Sequence, residues 1–207
     1  MADDQIASGD LRNIIKTATS IPSAYSGTLS LSVNDRDFDI VARNIILILV
    51  ASTIEDERKA SHCILHLWYS ALIRRGDLEL LTEFVLPLFQ DVNNKIASRG
   101  STSLFRKTWK FEAGEISVIL PVKEWKRLAA YCTPPELLTT ARASIIRAAV
   151  TMANARKDYR ERNLFAQKPA DRVCQQKFLE DGILLPFGHS REEFVIPNLC
   201  ITQLPSE

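Results

Sequence analysis

The residues best placed to do chemistry are Gly9 and Asp35. In a nucleotide-binding unit, glycine in the first strand-to-helix loop lets the backbone approach the ligand. An acidic side chain about twenty residues further on accepts the ribose hydroxyls. Asp35 follows Gly9 at roughly that distance and comes just after an alternating stretch, residues 29–33 (LSLSV). The signature is partial, because a single glycine stands where G-x-G-x-x-G requires three. A purely structural reading competes with it: Gly9 makes a turn, and Asp35 or Asp37 caps the next helix.

His62 and His66 stand four residues apart with Cys63 beside the first, a spacing that can put two ligands on one helical face. Residues 63–65 are Cys-Ile-Leu, so the glutamate of H-E-x-x-H is missing, and no third ligand is in view. No metal is expected, and His66 reads as a hydrogen-bonded histidine at the core boundary. Tyr131 and Asp158 are available to a transferase as substrate-side groups, without a diagnostic motif around either. There is no G-x-S-x-G elbow and no Walker loop. Arg43 and Asn44 interrupt a very apolar run and need partners if buried. They either shape the first loop or touch a ligand, or Arg43 forms a structural bridge to Asp10, Asp37 or Asp39.

The elements that position these residues follow from pattern. Ser8 or Asp10 can cap a helix running to about residue 20, with Leu11, Ile14, Ile15 and Ala18 on one face. Residues 29–33 alternate as a strand, and residues 38–52 form a helix apolar nearly all round, expected inside against a sheet. A third helix begins near residue 55, with Ile64, Leu65, Trp68, Leu72 and Ile73 inward. A fourth runs over about residues 78–96, with Pro87 as a kink point. Residues 115–120 read as a strand, residues 105–111 as a strand or irregular chain, and residues 122–131 as a short helix. Pro134 and Pro135 mark the clearest boundary, so residues 1–133 read as an α/β core and 134–207 as a helical portion packed on it. That portion should hold one long helix to about residue 163, a helix over residues 171–181 stopped by Gly182, and an extended tail over the core.

The 207-residue chain has 46% apolar and 25% charged residues, which suits one globular domain with a full core. A net charge of +1 and basic clusters balanced by acids point away from nucleic acid and from anionic membranes. The longest apolar run, residues 45–51, is too short to span a bilayer, and the first ten residues do not have the pattern of a secretory signal. Four scattered cysteines (Cys63, Cys132, Cys174 and Cys200) with no C-x-x-C pair suit reduced thiols in a cytoplasmic protein.

Four segments together are more specific than any one alone: residues 8–13 (SGDLRN), 34–44 (NDRDFDIVARN), 66–70 (HLWYS) and 181–188 (DGILLPFG). The set resembles a largely fungal family called domain of unknown function 4470, which often accompanies a MYND zinc finger. It is more distantly similar to the N-terminal region of dynein axonemal assembly factors. The resemblance extends over nearly the whole chain. It implies an α/β fold, rich in helix, with a degenerate Rossmann-like, methyltransferase-like sheet and a helical C-terminal portion. It places the family's glycine-aspartate turn on Gly9 and Asp10 and its acidic strand end on Asp35, the residues that would hold S-adenosylmethionine. In the family an apolar first strand precedes this turn. Here residues 1–7 carry two aspartates, so a truncated first strand is expected. The closely spaced cysteines of a MYND finger are absent from this sequence. The expectation is a non-catalytic interaction or adaptor domain without cofactor, recruiting a protein partner or a second copy through a sheet edge. The alternative is an S-adenosylmethionine-dependent methyltransferase.

Overall fold

The computed structural model describes residues 11–112, 114–133 and 138–201, and the backbone alone of residues 2–6. Among these residues the chain is helix-rich α/β, with three sheets of two strands each. The helix-rich α/β class therefore holds. In place of the expected Rossmann-like sheet, the described residues hold one parallel pair of strands and two antiparallel pairs.

The parallel pair is β1 (Ala2–Ile6) with β2 (Ser30–Asn34), joined through α1 (Arg12–Thr19). Residues 2–6, where only a truncated first strand is expected, form a five-residue strand in register from Ala2 opposite Ser30 to Ile6 opposite Asn34. ADDQI is a poor strand former by composition; pairing with β2 overrides propensity. On α1, Leu11 at the N-cap is buried and Ile14 half-buried, but Ile15 and Ala18 face solvent.

The core is built around α2 (Phe38–Thr53). Asp37 stands in extended conformation before it, and its carboxylate accepts the Asp39 N–H at 2.9 Å. Ala42, Asn44, Ile45, Ile46, Leu47, Leu49 and Val50 are buried. Each large aliphatic side chain so buried contributes about 1.5–3 kcal/mol before chain entropy is counted. The neighbours of α2 are helices rather than the expected sheet: α3 (Glu57–Tyr69) and a widened turn of five residues (Leu81–Val85).

Asp56 caps α3 by accepting from the Arg58 and Lys59 amides. The inward face of α3 is Ala60, Cys63, Leu67 and Trp68, spaced by three and four, and it includes His66. Leu65 falls off this stripe and is exposed. The helix ends at Tyr69, and Leu72 and Ile73, expected to continue it, belong instead to β3 (Leu72–Arg74).

The predicted fourth helix is α4 (Arg75–Leu80), the widened turn and α5 (Leu86–Ile96) in succession. Pro87 sits in the first turn of α5. It has no N–H to bond back, and the widened turn directly before it absorbs the break. Asp77, in the first turn of α4, is buried. It accepts from the Arg74 amide and from the Nε and Nη2 N–H groups along one edge of the Arg74 guanidinium, at 2.8–3.1 Å.

β4 (Leu104–Phe111) and β5 (Gly114–Pro121) form an antiparallel hairpin. Its inner face carries Trp109 and Val118 onto α6 (Val122–Leu128). Trp125 of α6 is fully buried, lies 5.9 Å from the Trp109 ring centroid, and donates its indole N–H to the Phe105 carbonyl at 3.0 Å. A short 3-10 turn, Ala129–Cys132, follows. The boundary expected at Pro134 and Pro135 lies outside the described residues.

The single long helix expected next is broken into α7 (Thr140–Thr151), a 3-10 turn (Asn154–Arg156) and α8 (Lys157–Ala166). Arg160 reaches back to the Thr151 carbonyl at 3.1 Å, which holds the chain in the bend. As the charge pattern suggests, no residue of α8 is buried. α9 (Pro169–Asp181) ends at Gly182 in the left-handed conformation, φ 74°. A side chain there would strike both Ala71 and Arg147 at 2.9 Å, so glycine is required for backbone and for space.

The tail docks as extended chain, as its sequence suggests. β6 (Phe194–Pro197) pairs antiparallel with β3. Asn198, fully buried, donates its side-chain N–H groups to the carbonyls of His66, Leu67 and Ser70 at 2.8–3.1 Å. These carbonyls lie at the C-terminal end of α3, where the helix runs out of backbone donors, and the His66 carbonyl also accepts the Ser70 N–H at 2.9 Å. Its side-chain oxygen accepts the Cys200 N–H at 3.0 Å. No helix of the described residues is long and apolar enough to cross a membrane.

Candidate functional site

The parallel pair and α2 meet at the carboxyl end of β2, where an open α/β unit places its ligand. Asp35 lies there, one residue past β2, and its carboxylate accepts the Asp37 N–H at 3.0 Å. The bond folds the acidic turn back on itself and leads into the Asp37 cap of α2. The cap therefore falls to Asp37, while Asp35 orders the turn ahead of it. Gly9 and Asp10, the other two residues assigned to the cofactor, lie outside the described residues, as does Asp10 in its role as a partner for Arg43.

A cluster missed in the sequence is built on the first turn of α2. Asp39 accepts from the Tyr131 hydroxyl at 2.5 Å and from the Arg127 guanidinium at 3.2 Å. Arg127 also binds Glu124 at 2.9 Å and lies over the Phe38 ring at 4.4 Å. Phe38 meets Tyr131 edge-on at 6.4 Å. Burial, reinforced by the Asp39 carboxylate, holds the Tyr131 hydroxyl far above its ordinary range. It stays protonated and donates to Asp39, so it has no role as a base near neutral pH. The cluster joins residues about ninety positions apart, a pairing invisible to any local motif. Asp158, the other candidate acceptor-side group, is exposed on α8.

His62 is exposed and His66 buried, and no group of three metal-ligating side chains occurs among the described residues. The His66 ring lies 3.3 Å from the Ser70 hydroxyl and packs edge-on against Phe194 at 4.7 Å. Burial pushes its imidazole down to about 4, so it is neutral in the folded chain at pH 7. Three of the four thiols are buried as well. Burial raises Cys63 and Cys132 well above the usual range and pushes Cys200 up to about 12. Asn44 is buried with neither side-chain polar atom hydrogen-bonded among the described residues.

The stretch that holds the βαβ unit, α2 and α3 is also the stretch with a recognised counterpart. Residues 5–73 match the domain of unknown function DUF4470. The DUF4470 match contains three of the four segments that carry the resemblance, together with Asp35, Arg43 and Asn44. It is narrower than the near-complete coverage expected, since residues 181–188 fall outside it. Those residues are nevertheless joined to its C-terminal end. The Gly182 carbonyl accepts the Ala71 N–H at 2.7 Å, and the Leu184 N–H donates to the Ser70 hydroxyl at 3.0 Å. No curated protein and no solved structure matches the chain.

Proposed function

We propose that the chain is a non-catalytic interaction domain on a methyltransferase-like βαβ start, which takes up a strand of a protein partner, or of a second copy, along the β1–β2 sheet. The exposure of β2 carries this reading. Parallel sheets are normally covered on both faces, and an isolated pair of strands is marginal in water. Here four of the five β2 residues are exposed and only Leu31 is half-buried. Among the described residues no third strand joins the pair. An added strand would satisfy the outer backbone groups and cover Val33, in the manner of strand augmentation.

On this reading residues 1–133 carry the recognition and residues 134–207 brace it from the α3 end. The four free thiols support the reducing cytoplasm as its setting. A photocrosslinking residue at Ser32, compared with one at the exposed Ser101 loop, tests the proposal in cells. Capture of one protein species at Ser32, lost in a Val33→Lys background, is the expected result. Equal or absent capture at the two positions overturns it.

A second reading has its own observation. The parallel β1–α1–β2 arrangement with Asp35 after β2 is the start of a nucleotide-binding unit. An S-adenosylmethionine-dependent methyltransferase would use Asp35 for the ribose, with Gly9 and Asp10 in the first loop. S-adenosylhomocysteine at a hundredfold its dissociation constant would then stabilise the fold by about 2.7 kcal/mol, and Asp35→Ala would abolish the effect. An unshifted melt leaves the interaction reading alone.

A further inference from the structure

α7, α8 and α9 line an open cavity of about 440 Å³ that belongs to neither the DUF4470 stretch nor the Asp35 turn. Its wall carries three arginines, Arg147, Arg156 and Arg160, against one carboxylate, Asp171. None of the four is in an ion pair among the described residues, although ion pairs are common elsewhere on the surface. Arg160 spends one N–H on the Thr151 carbonyl, and Arg147 lies over the Phe178 ring at 5.4 Å. Phe178, Leu179, Leu184 and Leu185 supply an apolar floor.

We propose that this cavity binds a small organic anion, a phosphate or carboxylate group on an apolar body. Its size is that of a small-molecule site and exceeds what a lone oxyanion needs. The arginines present the planar donors that match phosphate and carboxylate oxygens. Three buried polar atoms of the wall lack partners: Nε of Arg147 and the side-chain oxygens of Gln167 and Gln175. Buried polar groups without partners are costly, and an anion bearing a hydroxyl would satisfy both the donor and the acceptors. Burial together with the neighbouring Arg156 and Arg43 charges disfavours the Arg147 cation, a penalty that a bound anion would relieve.

Calorimetric titration of the full chain at low salt with phenyl phosphate, benzoate and inorganic phosphate tests the site. Saturable binding of phenyl phosphate or benzoate is expected, tighter than that of inorganic phosphate, and the better of the two identifies the headgroup. Arg156→Gln combined with Arg160→Gln should weaken it by about tenfold or more, since each lost hydrogen bond to a charged group is substantial. Arg156 is exposed, whereas Arg160 is half-buried and bonds the Thr151 carbonyl, so Arg156→Gln alone, which leaves that bend intact, should also weaken binding at an unchanged melting midpoint. Asp35→Ala should leave the affinity unchanged, which separates this cavity from a cofactor site at β2. Absence of saturable binding by either aromatic anion at millimolar concentration, or full affinity in the double variant, overturns the proposal.

Discussion

Two of the three sheets among the described residues differ in how they are covered. The β4–β5 hairpin turns Trp109 and Val118 inward onto Trp125, and its outer face is left to water. The β1–β2 pair has α1 as its crossover, yet β2 is exposed along most of its length. Antiparallel pairs tolerate one wet face, whereas parallel pairs are normally covered on both. The difference separates a sheet packed into the core from one whose second strand is exposed, and the proposed partner strand is what would cover the latter.

The largest effect expected comes from the anchored sheet. Trp125→Ala removes a fully buried indole and its bond to the Phe105 carbonyl, and should cost about 3–5 kcal/mol in chemical denaturation. A loss below about 1 kcal/mol would mean that the hairpin is not held by the core. Next comes the tail. Asn198→Ala strips three carbonyls of α3 and its end of their donor, and should cost about 3 kcal/mol. An unchanged melt would show that the tail contributes nothing to the fold.

The third prediction is a pH dependence. The unfolded chain takes up a proton on His66 near 6.5, whereas the folded chain resists until about 4. Stability present above pH 6.5 is therefore lost as pH falls through this window. Between pH 7 and pH 5 the loss should be about 2 kcal/mol, and it should be smaller in His66→Phe. Equal losses in both proteins would remove His66 as the cause. The smallest effect belongs to the uncovered sheet. Val33→Ser should change stability by no more than about 0.5 kcal/mol while weakening association. A large destabilisation would show that β2 is already packed within this chain.

Much of the fold was legible because its signals are local. The Asp37 cap and apolar run of α2, the Gly182 stop of α9 and the alternation in β2 each follow from side chains within one turn of the feature. β1 was expected only as a truncated strand, because ADDQI has no strand signal of its own and depends on β2 for its pairing. The helix expected through residue 163 breaks where Arg160 folds back on Thr151, a long side-chain contact that periodicity does not carry. At the site, the placement of Asp35 at the end of β2 could be read from the sequence. The Asp39, Tyr131 and Arg127 cluster could not, because it joins elements distant in the chain. The arginine cavity stayed hidden for the same reason, as its residues read singly as a solvated charged helix.

Amide hydrogen exchange at residue resolution, at a concentration where light scattering gives a monomer, tests the contrast between the two sheets most directly. Fast exchange is expected across Ser30–Asn34 and slow exchange across Leu104–Phe111 and Gly114–Pro121, with β2 slowing only on association. β2 amides protected as strongly as the hairpin in the dilute monomer would contradict it.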